Sequence, residues 1–148
     1  MSIADVMQEE PFSKFNGLSL ILPVIEGSAP RLNIAGQTHN VGPLDSILFS
    51  GEDETVSILS DSSIRVFNLI FDEHAWRATT IADCPNKLQT IGTNVPALTA
   101  VYCIREDILL DGTDCLTALE GAICRNFVGS FSGSNDACAL RIDLWAIH

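Results

Sequence analysis

The stretch Ile64-Arg65-Val66-Phe67-Asn68-Leu69-Ile70-Phe71 sorts into two faces. Ile64, Val66, Asn68 and Ile70 fall on one, and Arg65, Phe67, Leu69 and Phe71 on the other. A period of two residues marks a β-strand, because successive side chains point to opposite sides of a sheet. Leu18-Ser19-Leu20-Ile21-Leu22-Pro23-Val24-Ile25 is apolar on both of its faces and ends at Glu26-Gly27. It reads as a strand buried on both sides. Shorter runs continue the rhythm: Thr55 to Leu59, Trp76 to Ala82, Leu98 to Arg105 and Leu140 to Ile147. Arg31 to Ala35 and Thr38 to Val41 flank Gly36-Gln37 as a hairpin would. Turn signals fall at Asp61-Ser62-Ser63, Asp111-Gly112 and Gly129 to Asn135. No segment keeps an apolar period of 3.6; the best helix candidate, Asp114 to Leu119, is too short to organise a fold. Short, regularly spaced strands without helices imply an all-β barrel or sandwich.

The chain has 148 residues, the usual size of one domain, so one unit is expected over 1–148. The polar segment Asp83 to Pro96 is its one possible seam, read as a crossing between two sheet halves. A core at this length buries about 70% of the unfolded chain's surface and needs no disulfide or metal staple. Hydrophobic residues make up 47% and charged residues 18%, which excludes disorder. The longest apolar runs are strand-length, far from the ~20 residues of a membrane-spanning helix. The net charge of −11 excludes nucleic acid, whose phosphates need clustered cations, and disfavours anionic membranes. The N-terminal Met1-Ser2-Ile3-Ala4-Asp5-Val6 has neither a basic region nor an apolar core of a secretory signal, so a cytoplasmic location is expected.

Cys84, Cys103, Cys115, Cys124 and Cys138 are odd in number, irregular in spacing and without a Cys-x-x-Cys. They read as reduced, mostly buried small hydrophobes. His39, His74 and His148 are too scattered to complete a usual metal shell, so neither metal nor cofactor is expected. Glu52-Asp53-Glu54 lacks the spacing of a calcium loop, and Glu9-Glu10 and Asp72-Glu73 read as solvated charge. Ser13 sits outside any Gly-x-Ser-x-Gly elbow and reads as a backbone-bonding turn residue. No catalytic residue is assigned.

Four motifs in order resemble one family. Pro11-Phe12-Ser13-Lys14-Phe15-Asn16-Gly17 resembles its Pro-Phe-Ser-x-Phe-Pro-Gly, and Ile25-Glu26-Gly27 its Leu-Glu-Gly. Phe49-Ser50-Gly51-Glu52 resembles Phe-x-Gly-Asp, and Val66-Phe67-Asn68-Leu69-Ile70 resembles Asp-Phe-Asn-Leu-Met. The chain is similar in these to the HutD/Ves family, and the specific part covers about residues 2–82. The resemblance implies a cupin-like, RmlC-like fold of two small β-barrels. It also implies a non-catalytic role in binding or sensing a small metabolite, tied to amino-acid (histidine) utilisation or stress. Competing classes are a cupin enzyme on a small sugar or acid and a structural, self-assembling module. Leu20 stands where the family pattern has Arg, and Val66 where it has Asp; an inherited small-anion contact does not carry over to either.

Barrels of this kind have an open mouth lined by inward side chains. Asn68 is the polar exception on its face and must find partners, either a ligand or a neighbouring strand. Arg65, with Phe67, could meet an anion or pair with a surface acid. Asn68, Arg65, Phe67 and Ser13 are therefore the candidate ligand contacts. Phe12, Phe15, Gly17, Gly27, Phe49 and Gly51 are the candidate structural motif, with both rings of Phe12 and Phe15 expected to be buried. The chain begins near the family's Ser-Ile-Ala strand, at Ser2-Ile3-Ala4, without the several dozen residues that usually precede it. A sheet edge left open there implies a homodimer, in one form with the N-terminal segment exchanged.

Overall fold

The two long apolar runs become neighbouring central strands. A computed structural model of the chain describes residues 1–58, 63–83, 89–90 and 94–147. All regular elements among them are β-strands. The backbone forms two compact units, Met1–Glu73 and His74–His148, so the division falls ahead of the Asp83 to Pro96 segment.

In the first unit, β1 (Ser2–Val6), β2 (Ser19–Glu26), β5 (Ser46–Ser50) and β7 (Ile64–Phe71) make one antiparallel sheet in the order β1-β7-β2-β5. β3 (Arg31–Ile34), β4 (Gln37–Asn40) and β6 (Thr55–Ile58) make a second, in the order β4-β3-β6. The Gly36-Gln37 hairpin forms as read, with Asn33 opposite Thr38. The core between these strands holds Leu20, Leu22, Val24, Leu32, Ile34, Phe49, Ile64 and Val66. Each such side chain contributes roughly 1.5–3 kcal/mol through burial. The opposite faces of β2 and β7 are buried too, at Ile21, Ile25, Phe67, Leu69 and Phe71, as their two-sided apolar pattern requires.

The second unit repeats the plan with two four-stranded sheets. β8 (Trp76–Asp83), β10 (Leu98–Arg105), β13 (Gly121–Arg125) and β15 (Cys138–Ala146) run in the order β13-β10-β15-β8. β9 (Gln89–Thr90), β11 (Ile108–Leu110), β12 (Asp114–Leu116) and β14 (Ser130–Gly133) run in the order β12-β11-β14-β9. Val101, Cys103, Ile108, Leu110, Phe131, Ala137 and Ala139 fill its core. Two local expectations fail here. Asp114 to Leu116 is a strand rather than a helix start, because it pairs with β11. The turn-like run from Gly129 to Asn135 contains β14, paired with β11 through Leu109 and Ser132. Cys84, His148 and most of the Asp61-Ser62-Ser63 turn lie outside the described residues.

Candidate binding cavity of the first unit

The Pro11–Gly17 segment is held at both ends by backbone. Phe12 N–H donates to Thr55 O at 2.8 Å, and Pro11 bridges Val56. Phe15 N–H donates to Gly51 O at 2.8 Å, and Gly51 N–H donates to Leu18 O at 2.7 Å. A Cβ on Gly51 would collide with Phe15 O and lie 2.9 Å from Leu18 O, so only glycine lets the two backbones close up. Gly17 takes a positive φ of 73° as the chain turns into β2, and its N–H meets Glu52 Oε1 at 3.1 Å. Gly27 has φ 100°, and a Cβ there would lie 2.7 Å from Ser63 O. Phe49 is buried in the core. Phe12 and Phe15 pack on that core but are only half-buried, which corrects the expectation of full burial. Their remaining surface has another use, as part of a cavity wall.

A cavity of about 320 Å³ lies beneath this segment. β1 supplies Ser2, Ala4, Asp5 and Val6 to its wall, and the segment supplies Glu10, Pro11, Phe12, Ser13 and Phe15. The sheet supplies Leu20, Asn68 and Ile70. Strand register explains the composition. Ser2 stands opposite Asn68 and Ala4 opposite Val66, so the inward face of β1 continues that of β7. The structure thus brings Asn68 and Ser13 together with Phe12 and Phe15.

It does not bring Arg65 or Phe67 there. Both lie on the other face of β7, where Phe67 is buried. Arg65 stands opposite Asp5 and pairs with it, Nε to Oδ1 at 2.7 Å, and also with Glu26 Oε2 through Nη1 at 3.0 Å. The hydrogen bond from Arg65 holds the Asp5 carboxyl below its usual range. Asp5 is thus the surface acid that Arg65 meets. Ser13 is exposed, and its hydroxyl makes no hydrogen bond among the described residues, so the turn-residue reading does not hold. The Asn68 amide likewise bonds to no described residue, so the neighbouring-strand partner is absent. Glu10 is exposed, as its solvated reading requires, and borders the cavity. Ser57, wholly buried, fixes its backbone: Glu10 N–H donates to Ser57 Oγ at 3.3 Å and Ser57 N–H to Glu10 O at 3.2 Å.

Among the described residues no three His, Cys, Asp or Glu side chains cluster as a metal site would need. His39 lies on β4 and His74 in the second unit. The second unit has a more open hollow of about 480 Å³, edged by Glu106, Asp107, Cys115 and Ser132 among others. None of the candidate contacts reaches it.

These features define the class: an all-β, cupin-like protein, with cupin-fold structures among its structural neighbours. The HutD family model matches residues 1–130, and the chain belongs to that family. A Pseudomonas putida relative, described as an uncharacterized 21.2 kDa protein in the hutC 3' region, is 38% identical over 79 residues. That stretch is 53% of this chain and 42% of the relative, so the chain spans less than half of the curated relative it matches. The crystal structure of the conserved protein of unknown function PA5104 from Pseudomonas aeruginosa PAO1 has a TM-score of 0.83 at 25% identity, covering 97% of this chain and 78% of that one. HutD from Pseudomonas fluorescens SBW25, in a structure titled for its formate condition, has a TM-score of 0.83 at 22% identity, covering 99% and 78%. Among the described residues no helix is long and apolar enough to cross a membrane.

Proposed function

We propose that the chain is a non-catalytic, cytoplasmic binder or sensor of a small metabolite connected with histidine utilisation. The observation that carries this is the first-unit cavity, whose Asn68 amide and Ser13 hydroxyl have no partner among the described residues. Polar groups in a concave site with apolar walls are what a small ligand uses for orientation. Family membership and the hutC-region relative support the metabolic connection.

A thermal-shift screen of small metabolites tests the reading, because a ligand that binds only the folded state stabilises it by about 2.7 kcal/mol at a hundred times its Kd. The expected result is a compound that raises the melting temperature of the wild type and fails to raise that of Asn68→Leu. A screen in which every active compound shifts both proteins equally contradicts the site.

A further inference from the structure

We infer that Asn16-Gly17 is a site of spontaneous covalent modification, at which the Gly17 amide nitrogen closes on the Asn16 side chain and the asparagine becomes aspartate or isoaspartate. The inference is independent of the binding role proposed above. Of the chain's asparagines, Asn16 alone precedes a glycine. Any other following residue carries a Cβ beside the attacking nitrogen, and glycine carries none. The space where a Gly17 Cβ would stand is open, with nothing within 4 Å.

The local fold presents this pair. Leu18 N–H donates to Phe15 O at 3.2 Å, which makes residues 15–18 a β-turn. Asn16 takes its second position and Gly17 its third, at φ 73°, the type II arrangement. Both residues are exposed, and Asn16 makes no hydrogen bond to a described residue that would resist its turning towards the Gly17 nitrogen. The Gly17 N–H points at a carboxylate, Glu52 Oε1, at 3.1 Å. In the first step the bond from Gly17 N to Asn16 Cγ forms and the bond from Cγ to Nδ2 breaks. Glu52 takes the Gly17 proton, and Nδ2 gains one in return and leaves as ammonia. Water then opens the cyclic imide. Breaking the new bond to Cγ gives aspartate, and breaking the original peptide bond gives isoaspartate. Water is the only co-reactant.

Either product places a new carboxylate beside the Gly17–Glu52 contact, and isoaspartate also adds a carbon to the backbone between Phe15 and Gly17. Phe15 N–H bonds Gly51 O at 2.8 Å and its ring packs on the first core, so the change loosens the Pro11–Gly17 segment.

Incubating the full chain at pH 8 and sampling it over time tests this. Trypsin releases residues 15–31 as a peptide whose one asparagine is Asn16, and electron-transfer fragmentation separates aspartate from isoaspartate. The expected result is loss of the Asn16 amide while Asn40, exposed but followed by Val41, stays unchanged, with the melting temperature falling in step with the loss. Glu52→Gln is expected to slow the loss about tenfold, less than a base in a closed active site contributes because this carboxylate is exposed. Asn16→Pro suits the second position of a type II turn and removes the reaction, so its melting temperature is expected to stay constant. Asn16→Gln, with a side chain one methylene longer, is a second unreactive variant. An Asn16 amide that survives as long as that of Asn40 overturns the site. Loss at an unchanged rate in Glu52→Gln overturns the assignment of the proton acceptor. Melting temperatures that fall equally in the wild type and both unreactive variants overturn the effect on the segment.

Discussion

Cys103 shows how one residue type divides by environment. Its thiol is fully buried in the second core and donates to Glu106 O at 2.6 Å. Burial, reinforced by the nearby Asp107 charge, pushes its pKa up to about 11. Cys115 is exposed. Since the thiolate is the reactive form, iodoacetamide at pH 8 should label Cys115 readily and leave Cys103 unmodified in the native protein, as peptide mass spectrometry would reveal. Linkage gives the sign of the pH effect. A thiol pKa higher in the folded state means the folded chain holds its proton longer, so stability falls as pH rises from the ordinary thiol range towards 11. The candidate site divides at this scale as well. Asn68 is legible in the sequence because it is the one amide on an apolar face. Arg65 is not, because its partner Asp5 comes opposite only through the register of β1 on β7, some sixty residues away in sequence.

Elements differ in legibility by length and by how many faces they bury. β2 and β7 run for eight residues with apolar side chains on both sides, so period and composition agree. β12 and β14 run for three and four residues, and their exposure follows no clean apolar alternation. Pairing with a neighbour makes them strands, and pairing is not local information. The same reasoning applies to the Pro11–Gly17 segment. Its rings are half-buried, so Phe15→Ala should cost about 1–3 kcal/mol in urea melts, below the ~3–5 kcal/mol of a fully buried ring. A loss within error of zero would show that the segment does not anchor the unit. In the second unit, Asp143 is buried on β15, accepts from Thr99 Oγ1 at 2.9 Å and lies 3.0 Å from Arg141 Nε. Asp143→Ala removes the partner of a largely buried guanidinium stacked over the Phe131 ring. That change should cost about 3–5 kcal/mol, whereas a loss under ~1 kcal/mol would mean that solvent already screens the pair.

At the scale of the whole molecule, the strand rhythm and the four short motifs point to an all-β, cupin-like fold and to the HutD family, and both hold. The place of division was not legible, because Glu73 and His74 fall in an ordinary polar turn while the prolines and polar residues lie further on. We expect the chain to associate as a homodimer. β1 is an edge strand of its sheet with Ile3 exposed and Met7 exposed just beyond its end, and an edge strand is a template for another. Light scattering at micromolar concentration should give twice the chain mass of 16.0 kDa, and a clean monomer mass would refute the dimer.

The central claim is that ligand binding occurs in the first-unit cavity. Hydrogen–deuterium exchange, with and without the screened metabolite that gives the largest thermal shift, locates binding directly. The account predicts slowed exchange at residues 2–6, 10–15 and 68–70, with exchange at residues 106–109 and 132–134 unchanged. Protection confined to the second-unit hollow would contradict it.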